Sequence, residues 1–191
     1  MSTPAGAGNL RFDRFVREVH EVVASTEGQE DRLLALVGES MKRLVSVDDW
    51  LSDAHAKPHP TYYQQYLLYA DPHDRFSVVS FVWGPGQSTP VHDHLVWGVI
   101  GMLRGAEVVE HFDADARFQL NPRGEASVLT PGKVGFVSPT IGDIHRVRNA
   151  YDDRASISIH AYGGNIGKID RHVYSPEVGT RKSFVSGYAN A

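Results

Sequence analysis

Gly86-Gln-Ser-Thr-Pro-Val-His92-Asp-His94 is the segment on which the reading of this chain turns, together with Gly142-Asp-Ile-His145 further along. His-x-His on a strand sets two imidazoles on one face, because strand side chains alternate. A third imidazole from a neighbouring strand completes a facial set of neutral nitrogen ligands, the kind that suits iron, zinc, copper or nickel. Three ligands leave coordination positions open, as a catalytic metal needs and a structural one does not.

Outward from this segment the chain divides by texture. Residues 1–8 read as a flexible tail and 9–50 as helical. Leu10, Phe15, Val19, Val22 and Val23, then Leu33, Leu36, Val37, Met41, Leu44 and Val45, follow a 3.6-residue period, with Ser25-Thr26-Glu27-Gly28 as the break. Asp49 to Pro60 reads as a loop. Short runs rich in aromatic and β-branched residues follow: Tyr62–Tyr69, Phe76–Trp83, Val96–Gly101, Ala106–Phe112, Ala126–Leu129, Gly135–Ser138, Arg146–Asn149 and Ala155–Ala161. Strands at this spacing predict a sandwich or barrel core over 61–162, with the earlier helices covering one outer face. Residues 163–191, rich in Gly, Ser, Arg and Lys, read as a long loop and irregular tail packed over the barrel.

Composition narrows the function classes. A chain of 191 residues with 41% hydrophobic content suits one soluble domain. A formal charge of −4 and no Lys/Arg cluster give no basis for nucleic-acid binding. No apolar run reaches the length of a membrane span, and the N-terminus lacks the pattern of a signal peptide. Cysteine is absent, which excludes disulfides, thiolate ligands and a cysteine nucleophile and fits a cytoplasmic location. The oligomeric state is not legible.

Spacing sharpens the metal reading. Gly86, His92, His94, Gly98 and Gly105 fit G-x5-H-x-H-x3-[E]-x6-G, with Gly98 where glutamate usually stands; Pro139, Gly142, His145 and Asn149 fit P-x2-G-x2-H-x3-N. These resemble the two cupin motifs, the second with one inserted residue, and imply a double-stranded β-helix (jelly-roll) barrel. Four-ligand cupins add the carboxylate that is missing here, so the site would be neutral and leave the metal its full charge.

From about Tyr62 to Tyr174, and most strongly in Trp83-Gly-Pro-Gly-Gln-Ser-Thr-Pro-Val-His-Asp-His-Leu-Val-Trp-Gly-Val-Ile-Gly-Met-Leu-Arg-Gly105, the sequence resembles the thiol dioxygenases, and among them the bacterial 3-mercaptopropionate dioxygenases. The resemblance implies Fe(II) on His92, His94 and His145, and O2 plus a small thiol carboxylate as substrates. Ser158, His160 and Tyr162 stand at i, i+2 and i+4, on the polar face of a strand whose other face carries Ile157, Ile159 and Ala161. They match the family's Ser-His-Tyr relay. With no cysteine to crosslink it, Tyr162 would act unmodified. Gln65 stands where cysteine-specific relatives have arginine, and the family then suggests Arg171 as the carboxylate clamp, since guanidinium binds carboxylate bidentately. Trp97 is expected to wall the pocket, and Asp93 to point away from it. The rival readings are a cysteine dioxygenase, a non-catalytic cupin sensor and a zinc hydrolase.

Overall fold

In the computed structural model, which describes residues 7–175 and 177–190, helices α1 (Ala7–Ser25) and α2 (Glu30–Val45) precede the strands. The strands are β1 (Gln64–Ala70), β2 (Ser77–Trp83), β3 (Val91–His92), β4 (Gly98–Arg104), β5 (Glu107–Ala114), β6 (Leu120–Pro122), β7 (Ser127–Leu129), β8 (Val134–Val137), β9 (Ile144–Asn149), β10 (Ser156–Tyr162), β11 (Arg171–Ser175) and β12 (Thr180–Phe184). One antiparallel sheet runs β1-β2-β10-β4-β8; the other runs β12-β11-β3-β9-β5-β6, with β7 also on β5. The two curled sheets close into a cupin barrel, mainly β, with both helices outside.

Strand alternation sorts side chains between two apolar clusters. Val78 and Val82 of β2, Val99 and Leu103 of β4, and Ile157, Ile159 and Ala161 of β10 face outward, beneath Phe15, Val19, Val37, Met41 and Leu44 of the helices. Val79, Phe81 and Trp83 of β2 face inward and meet Val147 and Tyr162 inside the barrel. Because both faces of β2 are covered, its seven residues are all buried. Each large apolar side chain so buried contributes about 1.5–3 kcal/mol. Gly101 lets α2 approach closely, since a Cβ there would lie 2.6 Å from Met41 Cγ.

The helical stripe differs from expectation at two positions. Leu10 and Leu36 are 66% and 40% exposed, whereas Leu34 is buried. At about 100° per residue the buried positions of α2 span an arc from Ser40 to Gly38, and Leu36 falls about 40° outside it. Of the tail expected at 1–8, residues 1–6 lie outside the described residues, and Ala7 and Gly8 begin α1.

The C-terminal region is a correction. Residues expected to form a loop pair as the hairpin β11–β12, and β11 joins β3 in the second sheet. Arg171 therefore sits on a strand. Residues 163–170 hold a single 3-10 turn (Ile166–Lys168), and the segment after β12 is irregular. It docks on β1 through Ala189 N–H to Gln65 O (2.8 Å) and Leu67 N–H to Asn190 Oδ1 (2.8 Å). No helix among the described residues is long and apolar enough to cross a membrane.

Candidate metal centre and active site

His92 lies directly opposite His145 in the β3–β9 register. His94 reaches the same point by another route. β3 ends at His92, so His94 is not on a strand as expected; the chain bends, with Leu95 at φ +62°. Asp143 holds the bend, accepting the backbone N–H of His94 (3.0 Å) and of Leu95 (2.8 Å) as well as His94 Nδ1–H (2.9 Å). The three rings converge with centroids 4.7–4.9 Å apart, and one ring nitrogen from each lies within 4.8 Å of the others.

These rings are prepared for a cation. His92 Nδ1–H donates to Pro90 O (3.1 Å) and His94 Nδ1–H to Asp143, which leaves each Nε2 a bare lone pair. Burial, with the neighbouring His94 adding to it, lowers the His92 pKa to about 3; burial likewise holds His145 well below the ordinary histidine range. Neutral imidazole is the metal-binding form. His94 Nε2 and His145 Nδ1 are buried without a hydrogen-bond partner, an arrangement that a bound ion would relieve. The residues fit a metal.

Gly98 has a steric reason. It pairs with Tyr162 in the β4–β10 register, and a Cβ there would lie 2.7 Å from Val137 Cγ2 and 2.9 Å from Tyr162 Cε1. A glutamate at this place would displace the Tyr162 ring, which stacks on His94 at 5.3 Å.

Ser158, His160 and Tyr162 all point into the barrel. The Tyr162 hydroxyl and His160 Nδ1 are 2.8 Å apart, and His160 Nε2 and Ser158 Oγ 2.7 Å. Burial pushes the Tyr162 hydroxyl up despite the Arg171 charge, so it is protonated at neutral pH. Burial keeps His160 far below its ordinary value, hence neutral. Sequence reasoning missed the end of this chain: Ser158 also hydrogen-bonds the buried carboxylate of Glu107 and receives Trp83 Nε1–H (3.2 Å). The signal was available, because alternation puts Glu107, Val109 and His111 on the inner face of β5. They line a cavity of about 390 Å³ that His145 and His160 also border.

Arg171 and Gln65 meet at Ser186, which the sequence gave no reason to single out. Arg171 donates to Ser186 Oγ (2.8 Å), and Gln65 Nε2 donates to the same oxygen (3.2 Å) and to Gly187 O (3.0 Å). Arg171 is 3% exposed, forms no ion pair among the described residues, and its Nε has no partner. Its charge reaches His92, Tyr162 and Tyr63. Asp93, just past the end of β3, turns toward β11 and accepts from His172 Nδ1 (2.9 Å) and Tyr174 OH (2.9 Å) there. Trp97 does not wall the site. It shares the outward face with Val99 and Leu103 and packs in the helix-covered cluster.

Comparison with known proteins finds one sequence match and two solved structures of similar shape. The cysteine dioxygenase type 1 of Danio rerio is 29% identical over 92 residues, 46% of this chain and 45% of that protein, so the matched region is under half of the relative's length. A double-stranded β-helix protein from Klebsiella pneumoniae subsp. pneumoniae MGH 78578 aligns with TM-score 0.48 at 18% identity, over 61% of this chain and 86% of that one. A cupin superfamily protein from Desulfitobacterium hafniense DCB-2 aligns with TM-score 0.45 at 16% identity, over 62% and 94%. The model of the cysteine dioxygenase type I family matches residues 1–176, a span that takes in both helices, the histidine triad, the Ser158–Tyr162 strand and Arg171. The chain belongs to the cysteine dioxygenase type I family.

Proposed function

We propose that the protein is a non-haem Fe(II)-dependent thiol dioxygenase that converts 3-mercaptopropionate to 3-sulfinopropionate with O2. The observation that carries this reading is Arg171: a buried guanidinium with no carboxylate partner, placed between Gln65 and the histidine triad. An uncompensated buried charge is costly, and an anionic ligand offsets that cost. Fe(II) on His92, His94 and His145 would favour the thiolate form of the substrate and offer a neighbouring position for O2.

The remaining work falls to the chain. Arg171, with Gln65 and Ser186 beside it, fixes the carboxylate end and so the distance from carboxylate to sulfur. Tyr162, oriented through His160 and Ser158, presents its hydroxyl beside His94 to hydrogen-bond the reacting group. That relay favours an enzyme over a ligand sensor, which needs no ordered proton path. Phe81 packs on His160 at 4.3 Å and Trp83 on Tyr63 at 5.1 Å, which keeps water from the relay.

Cysteine differs from 3-mercaptopropionate by its amine, and family membership makes cysteine the second reading. Every carboxylate near the site is engaged: Asp93 with β11, Asp143 with His94, Glu107 with Ser158. An ammonium would have no acidic partner there, which costs several kcal/mol in the limiting case. Steady-state oxygen uptake at equal iron loading is expected to give kcat/KM about tenfold or more in favour of 3-mercaptopropionate, a difference of roughly 1.4 kcal/mol. An equal or reversed ratio moves the assignment to cysteine.

A further inference from the structure

Ser158 is the junction of three groups, and its hydroxyl has one proton and two lone pairs to share among them. Trp83 Nε1–H only donates, so it takes one lone pair. Of Glu107 and His160, therefore, one donates to Ser158 and the other accepts from it. His160 is neutral and carries a single N–H.

Two complete arrangements follow. With Glu107 ionised, Ser158 O–H donates to Glu107, His160 Nε2–H donates to Ser158, and Tyr162 O–H donates to His160 Nδ1. With Glu107 protonated, every bond reverses: Glu107 donates to Ser158, Ser158 to His160 Nε2, and His160 Nδ1–H to the Tyr162 oxygen. The Tyr162 proton is then free to point at the metal site. One proton entering at Tyr162 converts the first arrangement into the second. It bonds to the Tyr162 oxygen as that hydroxyl's own proton moves to His160 Nδ1. The His160 Nε2 proton then moves to Ser158, and the Ser158 proton to Glu107.

We propose that Glu107 is the proton depot of this site, taking up through Tyr162, His160 and Ser158 the proton that a thiol gives up on binding. The S–H bond breaks, an O–H bond forms on Glu107, and Tyr162 is left as a donor facing the bound sulfur. The proposal rests on the thiol reading of the site only for the source of the proton; the reversal of the chain stands apart from it. Glu107 is 1% exposed, and burial raises its pKa to about 7 against the bond from Ser158 and the nearby Trp83 N–H, so both forms are accessible at neutral pH. The other titratable groups facing it are His160 and Tyr162 of β10, His145 of β9, His111 of β5, and Lys133 before β8. Among the described residues Ser158 is the hydrogen-bond partner of its carboxylate.

The tautomer of His160 reports the direction of the chain. In 15N NMR of the protein loaded with diamagnetic Zn2+, His160 is expected to pass from Nδ1–H to Nε2–H as pH rises through about 7. Glu107→Gln, whose amide does not titrate, should hold one tautomer across this pH range. Ser158→Ala, which cuts the chain without touching Glu107, should abolish the pH dependence and so serves if the first variant fails to fold. A wild-type tautomer that does not change between pH 5.5 and 8.5 overturns the inference, even if the protein consumes oxygen with thiols. A proton count then tests the source. Anaerobic binding of 3-mercaptopropionate at pH 8 should release close to one proton per chain from Glu107→Gln and far less from wild type, because the hydrogen bond from Tyr162 to the bound sulfur stabilises the protonated Glu107 arrangement relative to the ligand-free protein. Equal release overturns the depot role; a switching tautomer with no thiol binding instead overturns the thiol reading and leaves the relay.

Discussion

Arg171→Ala is expected to lower kcat/KM for 3-mercaptopropionate by a factor of about 30–1000, mostly through KM. Truncating one partner of a buried, hydrogen-bonded charge pair costs roughly 2–4 kcal/mol, which corresponds to that range. The guanidinium is nearly fully buried, so solvent does not screen the pair. Gln65 and Ser186 remain to bond the carboxylate, and for this reason the loss is not total. Arg171→Lys should recover only part of it, because an ammonium cannot hold two carboxylate oxygens in one plane. Cysteamine, which has no carboxylate, should be a poor substrate of the wild type and no poorer with the variant. Steady-state oxygen uptake across these pairs decides the matter, and an unchanged KM in Arg171→Ala would remove Arg171 from the pocket.

His145→Ala has the larger effect. Wild-type protein should purify with about one iron per chain, and the variant with almost none, with activity falling below about a thousandth. Two imidazoles, His92 and His94, cannot hold the ion in competition with solvent and buffer. The fold should survive. His145 is held neutral by burial and by the neighbouring His92 and His94, so deleting its ring leaves no buried charge unpaired in the metal-free protein. Metal analysis with a thermal melt checks both halves, and full iron occupancy in the variant would refute the ligand assignment.

What could be read from the sequence was what alternation and spacing encode. β10 shows its polar and apolar faces plainly in Ser156-Ile-Ser-Ile-His-Ala-Tyr162, and the structure points the polar face inward. The histidines were visible because the spacing of the glycines, prolines and imidazoles is itself a pattern. Features made by ladder bonds rather than composition were not visible. β3 is two residues long, held only by His145 on one side and Val173 and Tyr174 on the other, so it has no period to detect. β12 is an exposed edge strand whose Thr-Arg-Lys-Ser-Phe reads as a loop because edges are kept polar and charged. Ser186 enters the site only because the last residues dock on β1, a long-range contact that no local signal announces. Glu107 and Asp143 were within reach, the one by alternation along β5 and the other as an acid two residues before a ligand.

The central claim is that this barrel places both atoms of O2 on the sulfur of a thiol carboxylate. Turnover of 3-mercaptopropionate by the iron-loaded protein under 18O2, followed by mass spectrometry of the product, tests it most directly. The account predicts a sulfinate carrying two labelled oxygens, with one O2 consumed per sulfinate formed. A product that is disulfide, or a sulfinate with one or no labelled oxygen, would contradict it.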